Sequence, residues 1–152
     1  MRSFSRHLKA FATVDPDHLS ERDRGYNLVG GEWTSTKDYV DLVDPLHGGT
    51  MIKIPNTAVD EIQPFVDSLA TCPKSGLHNP FRNKERYLML AEVNRKVVEC
   101  MYDPEVFNFF VKLVQRVAPK SYIQTKAELD VTIDFFKNFC GDRVRFLAHS
   151  EQ

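Results

Sequence analysis

Cysteine is scarce in this 152-residue chain, and its three copies, Cys72, Cys100 and Cys140, include no CxxC pair. An odd number of widely spaced thiols excludes a disulfide framework and a zinc knuckle, so each reads as a small buried hydrophobe in a reduced compartment. The five histidines (His7, His18, His47, His78, His149) are scattered, with no HExxH and no His–Cys cluster, and no metal site is expected. Long apolar runs are missing too. Nothing approaches the roughly 18 residues of a membrane span, and no short apolar block with a cleavage site marks a secretory signal. Charge of one sign is not in excess: 20 Lys plus Arg against 21 Asp plus Glu leave a net charge of -1. Without a global field, neither nucleic acid nor an anionic membrane is an expected partner. Finally there is no GxGxxG, no GxxxxGK[ST] and no GxSxG, so a phosphate cradle and a nucleophile elbow are both absent from the sequence.

What is present suits one soluble globular domain, with 42% hydrophobic and 27% charged residues. The charges are unevenly placed. Residues 1–14 hold three bases and no acid, residues 15–61 four bases and ten acids, and residues 62–152 thirteen bases and eleven acids. In the first segment Phe4, Leu8 and Phe11 share a side at helical spacing while Arg2, Arg6 and Lys9 spread over the rest. This is the pattern of a mitochondrial presequence, in which an import receptor grips the apolar stripe and the membrane potential pulls on the cations. A frayed basic terminus is the alternative.

Strands come first and helices afterwards. Tyr26–Val29, the Gly30–Gly31 pair and Glu32–Thr34 predict a tight hairpin, because paired glycines accept the positive φ of a two-residue turn. Tyr39–Val43 and Thr50–Ile54 alternate with period two, and Asp44–Pro45 with Gly48–Gly49 punctuate the loop between them. Together the four pieces predict a short antiparallel meander. From Thr57 the period changes to about 3.6. A first helix starts either at a Thr57/Asp60 capping-box-like pair or at Pro64, presents Val66, Leu69 and Ala70 on one side, and stops at Cys72–Pro73.

A second helix spans Asn83 to Met101, with Tyr87, Leu90, Ala91, Val97, Val98 and Met101 inward and Arg95, Lys96 and Glu99 outward. Asp103–Pro104–Glu105 opens a third, which ends before Pro119. Its Val106, Phe107, Phe109, Phe110, Val111, Leu113, Val114 and Val117 spread over about 200° and call for neighbours on two sides. A fourth runs from Ser121 towards Phe146–Leu147, aromatic at Phe135, Phe136, Phe139 and Phe146, with Gly141 as a kink or an early stop. So much apolar helix surface in so short a chain predicts part of a larger packed unit.

Local chemistry is thin. Cys72 with His78, in CPKSGLHNP, is the best nucleophile pair, but functional Cys/His sites assemble from distant segments and the stretch reads as a loop. Lys74, Arg82, Lys84 and Arg86 form a basic cluster; with Glu85 among them and no aromatic interleaving they read as a solvated face.

GGEWT (Gly30 to Thr34) followed by VDLVDPLHGG (Val40 to Gly49) resembles the opening of the aldehyde dehydrogenase superfamily. QPFVDSLATCPKSGLHNPF (Gln63 to Phe81), ERYLML (Glu85 to Leu90), LVQRVAPKSYIQ (Leu113 to Gln124) and NFCGDRVRFLAHS (Asn138 to Ser150) are similar to its plant-type mitochondrial delta-1-pyrroline-5-carboxylate dehydrogenase family, as is FATVD (Phe11 to Asp15). The likeness runs in order from Phe11 to Ser150.

The resemblance implies an α/β fold: the N-terminal part of an aldehyde dehydrogenase, a meander and about four helices wrapping the cofactor domain. Residues 1–14 would be the presequence and 15–152 an incomplete part of that domain, in the mitochondrial matrix. It implies NAD-dependent oxidation of glutamate gamma-semialdehyde to glutamate in proline breakdown, by a complete and homo-oligomeric enzyme. There a cysteine thiolate attacks the aldehyde, hydride passes to nicotinamide, and a glutamate activates water. The family's asparagine-bearing segment, dinucleotide turn, general base and nucleophile all match positions downstream of Ser150. No catalytic, cofactor-binding or metal residue is therefore expected here, and Cys140, in NFCGD, matches a helix ahead of the catalytic segments. A truncated dehydrogenase, inactive alone, is the expectation. A free-standing module that docks on a full-length homologue and a non-functional remnant are the alternatives.

Overall fold

A computed structural model of the chain describes residues 6–71 and 84–144. Helix α1 (Arg6–Phe11) leads into an irregular stretch and then two hairpins: β1 (Asn27–Val29) with β2 (Glu32–Thr34), and β3 (Tyr39–Val43) with β4 (Thr50–Pro55). A 3-10 turn (Val59–Glu61) precedes α2 (Gln63–Ala70), and the helical layer follows with α3 (Lys84–Met101), α4 (Pro104–Val117) and α5 (Tyr122–Asn138). The architecture is mixed α/β, as the sequence predicts, and consistent with an aldehyde dehydrogenase N-terminal segment. Among the described residues no helix is long and apolar enough to cross a membrane.

The first hairpin turns where the glycine pair stands, Gly30 at φ 61° and Gly31 at φ 85°, a region closed to most side chains. Leu28 pairs with Trp33 across it. In the second hairpin Leu42 pairs with Ile52 and Asp41 with Lys53, with an irregularity at Leu42/Val43 where the strand enters the 44–49 loop. The predicted continuous meander is corrected here: β2 and β3 do not pair, and the four strands form two separate sheets. The linker between them is committed elsewhere. Thr36 Oγ1 donates to Glu61 Oε2 at 2.8 Å and the Lys37 N–H to Glu61 Oε1 at 2.9 Å, so polar groups near the start of β3 serve the 3-10 turn instead of a ladder.

The same carboxylate accepts from the Ala58 N–H at 3.1 Å, which decides between the two expected helix starts. Glu61 makes the cap, whereas Thr57 Oγ1 accepts from Asn27 Nδ2 at 2.8 Å. The regular helix begins at Gln63 with Pro64 in its first turn, where a missing N–H is harmless. Its apolar side is left in water, Val66 and Leu69 both being exposed.

The helical layer follows the local signals closely. Asp103 caps α4, its Oδ1 accepting from the Glu105 N–H at 2.8 Å and the Val106 N–H at 3.4 Å. Ser121 and Gln124 form a reciprocal capping box for α5. On the outer face of α3, Arg95 pairs with Glu92 and Glu99. Gly141, at φ 66°, acts as a stop: α5 ends at Asn138 and a new helical turn starts at 141–144. Leu8, Val98, Met101, Val106, Phe109, Val111, Leu129 and Ile133 make one core. Thus α4 finds its two-sided cover partly within the chain, from α3 and α5 and from α1. Leu90, expected inward, is exposed on α3. Cys100 and Cys140 are free and half-buried, less enclosed than the sequence suggests.

Candidate functional site

The loop joining β3 to β4 carries the most concentrated electrostatics of the described residues. Asp44 N–H donates to Gly49 O at 2.8 Å, and the Gly48 N–H returns to Asp44 O at 2.8 Å. Gly48 sits at φ 75°, which closes the loop and turns the Asp44 side chain inward. That carboxylate is 0% exposed. Its Oδ1 accepts from the Leu46 N–H at 2.8 Å. Its Oδ2 lies 2.7 Å from Arg116 Nη2 on α4 and 3.2 Å from His47 Nε2. Neither approach has hydrogen-bond direction, so the charge of Arg116 is what holds Oδ2. His47 Nδ1 accepts from the Gly49 N–H at 3.1 Å. The neutral ring therefore carries its proton on Nε2, facing the carboxylate.

A buried carboxylate survives only if it is compensated, and here the compensation comes from a different layer. Asp44 thus fastens the second hairpin to the C-terminal half of α4. Along the same helix Lys112 Nζ meets Asp17 Oδ2 at 2.6 Å, tying down the stretch that follows α1. Beside it, burial pushes the Asp15 carboxyl up, but hydrogen bonds from His18 and the Asp17 N–H, with the nearby His18 and Lys112 charges, outweigh this and hold it below its ordinary value.

Two grooves flank the Lys112–Asp17 bridge. One of about 500 Å3 runs over Leu8, Asn108 and Phe109; the other, of about 410 Å3, lies between Leu46, Gln115, Arg116 and Lys120. Neither contains a thiol, so neither pairs a cysteine with a base. Cys72, His78, Lys74 and Arg82 lie outside the described residues, while Lys84 is exposed at the start of α3 and Arg86 half-buried two residues on. Among the described residues no group of three or more His, Cys, Asp or Glu is placed to hold a metal. Sequence reasoning placed Asp44 in a turn but missed its burial, since its partner Arg116 is distant in the chain; the Asp-Pro-x-x-Gly-Gly loop was the available signal.

Among the described residues no glycine turn is placed as a dinucleotide cradle. The positive-φ glycines stand in hairpin turns, in the 44–49 loop and at the end of α5, not between a strand and a helix N-terminus where a pyrophosphate would be cradled. What the surface offers instead is apolar area. On α5, Thr125, Leu129 and Ile133 are buried, whereas Ile123, Val131 and Phe135 lie about 200° round the helix and are exposed, as is Phe139 just past its end. Exposed large hydrophobics outnumber buried ones among the described residues, 22 to 11, well beyond isolated surface leucines.

No protein-family model matches the chain. Two curated plant proteins do. One from Linum usitatissimum, named a probable aldehyde dehydrogenase, is 48% identical over 151 residues, 98% of this chain and 27% of that protein. Another from Arabidopsis thaliana, named delta-1-pyrroline-5-carboxylate dehydrogenase 12A1, mitochondrial, is 47% identical over 146 residues, 95% of this chain and 26% of that protein. Over this stretch the chain is similar to aldehyde dehydrogenase superfamily sequences. Within that superfamily, the likeness is to the N-terminal portion of a mitochondrial delta-1-pyrroline-5-carboxylate dehydrogenase, and the chain spans about a quarter of the length of these relatives.

Proposed function

We propose that these residues are the N-terminal part of an NAD-dependent delta-1-pyrroline-5-carboxylate dehydrogenase of proline catabolism, working in the mitochondrial matrix. The whole enzyme would oxidise glutamate gamma-semialdehyde to glutamate. The observation that carries the reading is identity of 47–48% over nearly the whole chain to proteins about four times longer. The exposed apolar residues of α2, α3 and α5 support it physically, being shaped for neighbours that the described residues do not supply.

In this reading the chain performs no chemical step. Nicotinamide would accept hydride in the whole enzyme, held by residues other than those described here. The role of this part is positional: α4 and α5 build a rigid layer, Asp44 and Arg116 lock the second hairpin onto it, and the outer apolar faces seat the remainder. The 152 residues alone would be inactive, and the complete enzyme a homo-oligomer. A second reading, docking of this chain on a full-length homologue, draws on the same exposed α5 stripe.

The test is a chimera in which this chain replaces the matching quarter of the Arabidopsis protein. NADH formation from pyrroline-5-carboxylate is expected from the folded chimera and not from the 152 residues alone. Turnover by the short chain would overturn its inactivity, and a folded but inert chimera would overturn the enzymatic reading. Co-elution of the short chain with the intact Arabidopsis protein would favour docking.

A further inference from the structure

Residues 1–14 read as an import-type amphipathic stripe, yet the described part of that stripe is inside the fold. Leu8 is 1% exposed. Phe11 stacks on Phe110 with ring centroids 5.8 Å apart and planes 11° apart, and stands edge-on to Phe109 at 6.0 Å. The Ala12 N–H donates to Leu8 O at 2.7 Å, continuing the helical turn, while Lys9 faces water. Downstream, Pro16 is buried and Asp17 pairs with Lys112 of α4. The described part of the segment is therefore clamped to α4 by aromatic packing on one side and an ion pair on the other.

A receptor for a cationic amphipathic helix takes it by the apolar stripe. We propose that α4 and such a receptor compete for the same Leu8/Phe11 face, so that folding of the helical layer withdraws the targeting signal. The inference rests on the presequence reading of residues 1–14 and extends it: recognition would require α1 to leave α4, and apparent affinity would fall by the fraction of chains in which it has done so. Folding, with no further factor, would then separate chains that still present the signal from chains that have hidden it.

The test reads binding to the surface of de-energised mitochondria, ahead of any translocation, so that the mechanical resistance of a folded body does not enter. Three proteins are compared: the full 152-residue chain in its native state, the same chain with a second copy of residues 1–14 placed ahead of it, and a passenger protein bearing residues 1–14. The passenger and the tandem chain are expected to bind at least about tenfold more than the native chain. The variant Phe110→Ala, which leaves residues 1–14 untouched, is expected to raise binding and to speed cleavage by a lysine-specific protease at Lys9. Equal binding by the native and tandem chains, with a binding passenger, would overturn the masking and leave the import reading intact. A passenger that does not bind would remove the import reading itself.

Discussion

The helical layer from Lys84 to Asn138 and the strand region from Asn27 to Pro55 differ in where their apolar residues go. In the first, Ala91, Val98, Met101, Val106, Phe109, Val111, Leu129 and Ile133 are enclosed by neighbouring helices. In the second, Met51 and Ile52 are buried, while the cross-strand pairs Leu28–Trp33 and Val40–Ile54 lie in water. Helices satisfy their own backbone groups and need only a packed stripe, so these three, with α1 laid on α4, close a core locally. Two short two-stranded ribbons are marginal alone and need a further layer. The helical half of this chain is thus self-supporting, and the strand half waits for cover.

The sharpest test of that contrast is the bolt between the two halves. Arg116→Met leaves the Asp44 carboxylate buried beside His47 alone, and a loss of about 3–5 kcal/mol is expected in a urea melt. Pairing it with Asp44→Asn should recover most of the loss; a single variant that melts like the parent would show that the hairpin is not fastened to α4 this way. Within the helical layer, Ile133→Ala empties a site that is 2% exposed and is expected to cost about 2–5 kcal/mol. Two residues along α5, Phe135→Ser replaces a side chain that is 63% exposed and should change stability by less than about 0.5 kcal/mol while reducing self-association in sedimentation. Equal destabilisation by the two would erase the distinction between the stripes.

Smaller effects sharpen the picture. Asp103→Ala removes the α4 cap and is expected to cost about 1 kcal/mol, read as helicity and melting temperature. In the strand region, the Thr36 hydroxyl, the Lys37 and Ala58 N–H groups and the Lys37 charge hold the Glu61 carboxyl below its ordinary value of 4.5. Its folded value is depressed, so its contribution is complete above 4.5 and is lost as pH falls through the lower folded value. Faster amide exchange at Lys37 than the chemical pH dependence allows is expected on acidification, and Glu61→Gln should flatten that response. A Lys37 amide equally protected in both proteins at every pH would dismiss the Glu61 tie.

Much of this was legible because its causes are local. Asp103–Pro104, Ser121 with Gln124, and Gly30–Gly31 each act within one turn of chain, and the structure places the helix starts and the hairpin turn they mark within a residue or two of expectation, although α5 ends at Asn138, well before Phe146. Gly141 was legible as a break and acts as one. What escaped depended on distant partners. Glu61 reaches back to Thr36 and Lys37, and so displaces Thr57 as the cap while parting β2 from β3. Asp44 was visible as a turn residue, but its burial needs Arg116. Leu8 and Phe11 have the periodicity of a targeting helix and equally that of a core helix; only the aromatic groove of α4 decides which face they meet.

The central claim is that a self-supporting helical layer carries apolar faces meant for a body these residues do not contain. Sizing of the purified 152-residue chain in the presence of a dye for exposed apolar surface tests it most directly. Self-associated species that bind the dye, with retained helical circular dichroism, are the predicted result. A sharp monomer peak that melts cooperatively and leaves the dye dark would contradict it.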